Sequence, residues 1–139
     1  LMLDKNLNLN NQKSILVRDF CFFCAENLPI ENDFEIYVVS EREPYDISTT
    51  AVYNVGKNQC YIYGKNRSLV DVLRSIAHEM THMMQDELGL LVGNIRDAGG
   101  FHEDQANAKA GELIKLFAKS KEGRKAIYES KILKKKIIL

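Results

Sequence analysis

Ser68-Leu69-Val70-Asp71-Val72-Leu73-Arg74-Ser75-Ile76-Ala77-His78-Glu79-Met80-Thr81-His82-Met83-Met84-Gln85-Asp86-Glu87-Leu88-Gly89 is the stretch on which the reading of this chain turns. Leu69, Val72, Leu73, Ile76, Ala77, Met80, Met83, Met84 and Leu88 recur at steps of three and four, the period of one helix face. Ser68 followed by Asp71 reads as a capping box with Asp in place of Glu. No Gly or Pro interrupts the run, and Gly89 stands where a helix stop belongs. The spacing predicts one helix of about 30 Å, enough to cross a small domain. Inside it lies His78-Glu79-Met80-Thr81-His82. Residues four apart on a helix stand one turn above each other on the same face, so His78 and His82 can present two imidazole nitrogens to one Zn²⁺. Glu79 sits beside them, where it can take a proton from a water bound to that metal.

Outward from this helix, the sequence predicts an α+β domain. Toward the N-terminus, Ile15, Leu16, Phe20, Phe23, Cys24 and Leu28 suit an amphipathic helix over about residues 13–27, ended by Pro29. The Asn-rich residues 1–11 are expected to be irregular. Phe34–Val39 reads as a strand, and residues 49–55 and 59–63 as two more, joined in a hairpin by Gly56-Lys57-Asn58. The expected sheet is therefore short, of about three strands and mostly antiparallel. Toward the C-terminus, the glycine-rich Leu90–Gly100 stretch is irregular, a second long helix covers about residues 101–119 and a third about residues 121–136.

Length, composition and charge narrow the function classes. At 139 residues the chain is expected to be one domain, 1–139, with an ordinary hydrophobic content of 45%. It holds no run of 18 apolar residues, which argues against a membrane-spanning helix. No basic segment followed by an apolar run opens the sequence, so the expected location is cytoplasmic. Cys21, Cys24 and Cys60 make an odd count, which suits free thiols. Cys21 and Cys24 have Cys-x-x-Cys spacing but no second such pair, and their apolar flanks mark them as small core residues. The zero net charge is split: residues 1–108 carry 9 Lys/Arg against 16 Asp/Glu, and residues 109–139 carry 10 against 3. A solvated basic C-terminal helix is the ordinary meaning. A nucleic-acid partner is disfavoured, because no phosphate-binding glycine loop accompanies the basic end.

A catalytic zinc site commonly takes three protein ligands and leaves one position open. On the residues alone, two schemes compete for the third. Glu103 can bind the metal, with Asn107 four residues on accepting a hydrogen bond from a ligating histidine. Alternatively His102 binds it and Glu103 is a carboxylate favoured by the start of its helix. Asp104 is a weaker third choice.

His-Glu-x-x-His on one helix, followed about twenty residues later by Glu103-Asp104-Gln105-Ala106-Asn107 at the start of another, resembles the gluzincin metallopeptidases, among them the thermolysin-like enzymes and the small single-domain minigluzincins. The resemblance covers residues 34 to 119. It implies a zincin-like fold, Zn²⁺ as cofactor, a polypeptide substrate, His78, His82 and Glu103 as zinc ligands, and Glu79 as general base. Asn107 stands where the family has Asp, a neutral substitute that leaves the ligating histidine less basic. The metzincin continuation fails, since Gln85 occupies its Gly position and Leu88 its third His position. Thermolysin-like enzymes draw a donor for the developing oxyanion from a further helical domain, and this chain is too short to hold one. A tyrosine is the available substitute, with Tyr128 on the C-terminal helix the first choice and Tyr45, Tyr53, Tyr61 and Tyr63 behind it. The implied activity is zinc-dependent peptide hydrolysis. A catalytically weak or inactive zinc-binding interaction module within a larger assembly is the alternative. The apolar Ile137-Ile138-Leu139 end is a further candidate, as a segment that folds back to block the cleft.

Overall fold

Ser68 starts the central helix as its sequence requires: its Oγ accepts from the Asp71 N–H at 3.2 Å. In the computed structural model, which describes residues 1–7, 9–91, 100–121 and 124–128, this helix (α2) runs Leu69–Glu87. It ends before Gly89, whose φ of +72° is reached cheaply only without a Cβ. The expected stripe from Leu69 to Met84 is buried, but Leu88 is 62% exposed because it already belongs to the helix end.

The N-terminal helix (α1) spans Asn11–Asn27 and is capped by Asn10, whose Oδ1 accepts from the Lys13 N–H at 2.8 Å. Its inner face is Leu16, Val17, Phe20, Cys21 and Cys24, while Ile15 points outward and is 50% exposed. The three cysteines are free and buried, and burial pushes the Cys21 thiol up to about 12. A third helix (α3) spans Phe101–Ser120 and packs along α2. Phe117 at its far end is fully buried and meets Phe20 and Phe23 of α1 edge to face, at 5.0 and 5.4 Å between ring centroids.

The sheet departs from expectation. Among the described residues it has four strands, β1 (Met2–Leu3), β2 (Glu35–Val39), β3 (Ala51–Asn54) and β4 (Gln59–Tyr63), in the order β1-β2-β4-β3. Only the β3–β4 hairpin is antiparallel; β1–β2 and β2–β4 are parallel. The sheet is mixed because β2 pairs with the second arm of the hairpin, Ile36 opposite Cys60 and Val38 opposite Ile62, and not with the first. Those four side chains face the helices and are buried, while Tyr37 stacks on Tyr61 at 4.8 Å. The consequence for the site is that β3 is an edge strand among the described residues.

The N-terminus is ordered by β1 and not irregular. Asp4, just after it, donates its N–H to Val38 O at 2.9 Å. Its carboxylate accepts from Ser40 Oγ at 2.6 Å, from Ser40 N at 3.1 Å and from Asn6 N at 3.0 Å. The Ser40 hydroxyl and then the Asn6 N–H hold this carboxyl below its ordinary value. A folded-state pKa below the unfolded one contributes stability above the ordinary carboxylate range and loses it as pH falls through the folded value. Asp4→Asn should therefore cost about 1 kcal/mol at pH 7, and the gap to the parent should close below about pH 4. Urea midpoints at pH 7 and pH 3 check this; an equal gap at both would refute it.

No helix among the described residues is long and apolar enough to cross a membrane. Of the expected C-terminal helix, Arg124–Tyr128 is a 3-10 turn. Lys121 is the extended C-cap of α3, and residues 122–123 and 129–136 of the expected helix, residues 92–99 of the glycine-rich stretch and the Ile137-Ile138-Leu139 end lie outside the described residues.

Candidate metal centre

One face of α2 carries Asp71, Arg74, Ser75, His78, Glu79 and His82, and it forms the floor of a cleft. Edge strand β3 and the Ser48-Thr49-Thr50 segment before it form one wall, and Glu103 and Asn107 of α3 the other. The edge strand is fixed over the helix by Asp86 of α2, which accepts from Tyr53 Oη at 2.5 Å and from the Gly56 N–H at 2.8 Å. Of the two hairpin strands, β3 is thus the one that a peptide lying in the cleft would meet, since β4 is paired on both sides.

Three side chains converge at the centre. His78 Nε2 stands 3.2 Å from His82 Nε2. Glu103 Oε2 is 3.1 Å from His78 Nε2, and Glu103 Oε1 is 2.7 Å from His82 Nε2. The three are partly buried, and among the described residues they form a cluster whose ligand atoms can hold a metal ion. Of the schemes left open by the sequence, the geometry brings Glu103 to the histidine pair. His102 and Asp104 are outside that cluster, and Asp104 is exposed. His102 instead gives its backbone oxygen to the site, accepting from Gln85 Nε2 at 3.1 Å.

That contact identifies a residue the sequence reading passed over. Gln85 is fully buried. Its Nε2 donates to the His102 carbonyl and to Gln105 Oε1 at 2.8 Å. A carbonyl only accepts, so the orientation of the amide is set and its Oε1 is left to face His82 Nδ1 at 2.8 Å. The His82 proton therefore belongs on Nδ1, and the Nε2 lone pair faces the cluster. The signal was available: Gln85 lies three residues after His82, at a position that helical spacing buries, and a buried amide needs partners.

His78 is kept neutral by other means. Burial, then the neighbouring His82, lowers its pKa, opposed by Glu103 and by a side-chain hydrogen bond that Asn107 accepts from the ring. A lowered histidine pKa means a neutral ring with a lone pair at neutral pH. The His82 Nε2 lone pair and the Glu103 carboxylate, 2.7 Å apart, repel each other unless a cation stands beside them.

Glu79 is 9% exposed and lines the same cleft. Its carboxylate also approaches the core, where it adds to the burial that raises the Cys60 thiol. Tyr128 is not brought to the site: it is 52% exposed on its 3-10 turn and is absent from the cleft wall. No protein-family model, curated protein or solved structure matches the chain.

Proposed function

We propose that this chain is a zinc-dependent metallopeptidase of the gluzincin type. The observation that carries the reading is the convergence of His78, His82 and Glu103 on one point, with Glu79 beside them and an open sheet edge above. Two histidines and one glutamate are the donor set of one class of catalytic zinc site. Ligands about 2.0–2.1 Å from a tetrahedral ion stand roughly 3.3 Å apart. The two histidine nitrogens, 3.2 Å apart, already have that spacing, and Glu103 brings one carboxylate oxygen to 3.1 Å from His78 and the other to 2.7 Å from His82, so a turn of the carboxylate can set a single ligating oxygen.

Zinc at this position supplies a Lewis acid for the peptide carbonyl and lowers the pKa of a bound water. The side chains divide the remaining work. Gln85 holds His82 in the ligating tautomer, and Asn107 steadies His78. Glu79 accepts the proton of the attacking water and returns it to the departing amine. Strand β3 receives the substrate as an added strand, so that backbone hydrogen bonds set its direction and side-chain pockets set its sequence.

Zinc content tests the ligand set. After dialysis, the purified chain should hold about one zinc, and Glu103→Ala should bind it at least roughly tenfold more weakly. Full retention in the variant, or no zinc in the parent after reloading, would sink the three-ligand reading. The exposed position of Tyr128 favours a second reading, a zinc-binding module with weak or no turnover, because the oxyanion donor expected there does not reach the cleft. That reading predicts the same metal retention and no cleavage of peptide libraries.

A further inference from the structure

Past the histidine pair, toward the N-terminal end of α2, the cleft wall carries a fixed positive charge. The Arg67 guanidinium lines it. Nη1 donates to Tyr63 O at 2.7 Å, and Nη2 donates to Asp71 O at 3.0 Å and to Ser75 Oγ at 2.8 Å. All three acceptors are neutral. They engage three of the five N–H groups that a guanidinium offers. Among the described residues no carboxylate lies within ion-pair distance of Arg67. The Asp71 carboxylate is occupied by Arg74, at 2.8 Å. Asp46, also on the wall, is exposed, so water screens it. Burial disfavours the charge on Arg67, and the Asp71 carboxylate nearby offsets this only in part, so an anion arriving beside the guanidinium would recover the remaining cost.

The position fixes what such an anion would be. Ser75, which receives the guanidinium, precedes His78 by three residues on α2, about 4.5 Å of axial rise. An extended peptide advances about 3.3 Å per residue. A group held by Arg67 therefore belongs to a residue one or two positions from the bond that lies over the histidine pair. The Ser48, Thr49 and Thr50 segment of the same cleft is small and polar, and leaves room for a short carboxylate without offering a bulky apolar pocket.

We infer that Arg67 forms a carboxylate-binding subsite of the cleft, so that the substrates are peptides with Asp or Glu one or two residues from the scissile bond. This rests on the metallopeptidase reading for the words "scissile bond", but the subsite itself is a matter of binding.

Binding is the test, measured by fluorescence polarisation on the zinc-loaded chain carrying Glu79→Gln, so that turnover does not consume the probe. The probes are fluorescein-labelled, terminally blocked peptides of alanine, threonine and glycine in which a single aspartate is walked along the chain. Aspartate at one or two adjacent positions should tighten binding about 10- to 100-fold over the neutral peptide, and raising salt toward roughly 1 M should shrink the gain. Arg67→Gln should abolish it. Arg67 also holds two backbone carbonyls, so Ser75→Asp serves as a second variant: it places a carboxylate against the guanidinium and should cancel the gain with the arginine present. Equal affinity for acidic and neutral peptides in the parent, or a gain that survives both variants, overturns the proposal. So does a neutral peptide with an unblocked C-terminus binding as tightly as the best blocked aspartate peptide. Selective binding by a chain that, with Glu79 intact, cleaves nothing would keep the subsite and defeat the peptidase reading; cleavage with no acidic preference would do the reverse.

Discussion

Glu79→Gln should leave zinc in place and lower kcat for peptide hydrolysis by about 10²- to 10⁴-fold, the usual range for loss of a positioned general base. The substitution keeps the shape of the side chain and removes its ability to accept a proton. Glu79 is not one of the three groups that converge on the metal position, so affinity for the ion has no reason to fall. Its neighbours hold its place: it is flanked on α2 by His78 and by the fully buried Met80, and its carboxylate approaches the buried Cys60. A change confined to proton transfer should appear in kcat, with KM for a peptide substrate nearly unchanged. The assay is zinc content together with cleavage of a peptide library by parent and variant. Cleavage at the parent rate would remove Glu79 from the chemistry. Loss of zinc would make it a structural support of the metal position. An inactive parent that still holds zinc would favour the interaction-module reading.

Much of this centre was legible because its signals are local. His78 and His82 are one turn apart on a helix whose apolar stripe, cap and stop are all written within residues 68–89, and the structure keeps that helix to within a residue. Glu103 and Asn107 were legible as a spacing, though what chose Glu103 over His102 was the packing of α3 on α2, which no pattern of a single chain reveals. The strand order was not legible. Residues 49–63 announce a hairpin, but which arm β2 pairs with depends on burying Ile36 and Val38 against the helices, a contact between distant segments. Strand β1, two residues long, is too short to show any alternation. The hydrogen bonds that secure this end come from Asp4 to Val38 and Ser40, a tertiary contact that composition misread as an irregular end. Gln85 was missed for a different reason. Its position three residues after His82 calls for burial, but the partners of a buried amide, here His102 O and Gln105, lie on the next helix and are not written in the local pattern.

Phe117→Ala should cost about 3–5 kcal/mol, a large share of the roughly 5–15 kcal/mol that holds a domain of this kind folded. The ring is fully buried, meets Phe20 and Phe23 edge to face, and carries the Arg124 guanidinium 4.1 Å above its centroid. Truncation removes both aromatic contacts and leaves a cavity between α1 and α3 that those helices can close only by moving. The same helix carries Glu103 fourteen residues earlier, about 21 Å away along its axis. The two ends of α3 are secured by different means. The far end is held to α1 by the aromatic cluster, and the near end to α2 by Gln85, which bonds both His102 O and Gln105. Sites so far apart with no shared partner should contribute independently. On the proposed site, zinc should bind the folded chain in preference to the unfolded one and so raise the urea midpoint of parent and Phe117→Ala by the same increment of free energy. Unfolding curves for both, with and without zinc, decide the matter. An equal increment places the metal site on the α2–α3 contact alone. A smaller increment in the variant would mean that the aromatic cluster also sets the position of Glu103, and that the stability of the core and the affinity of the site are one property.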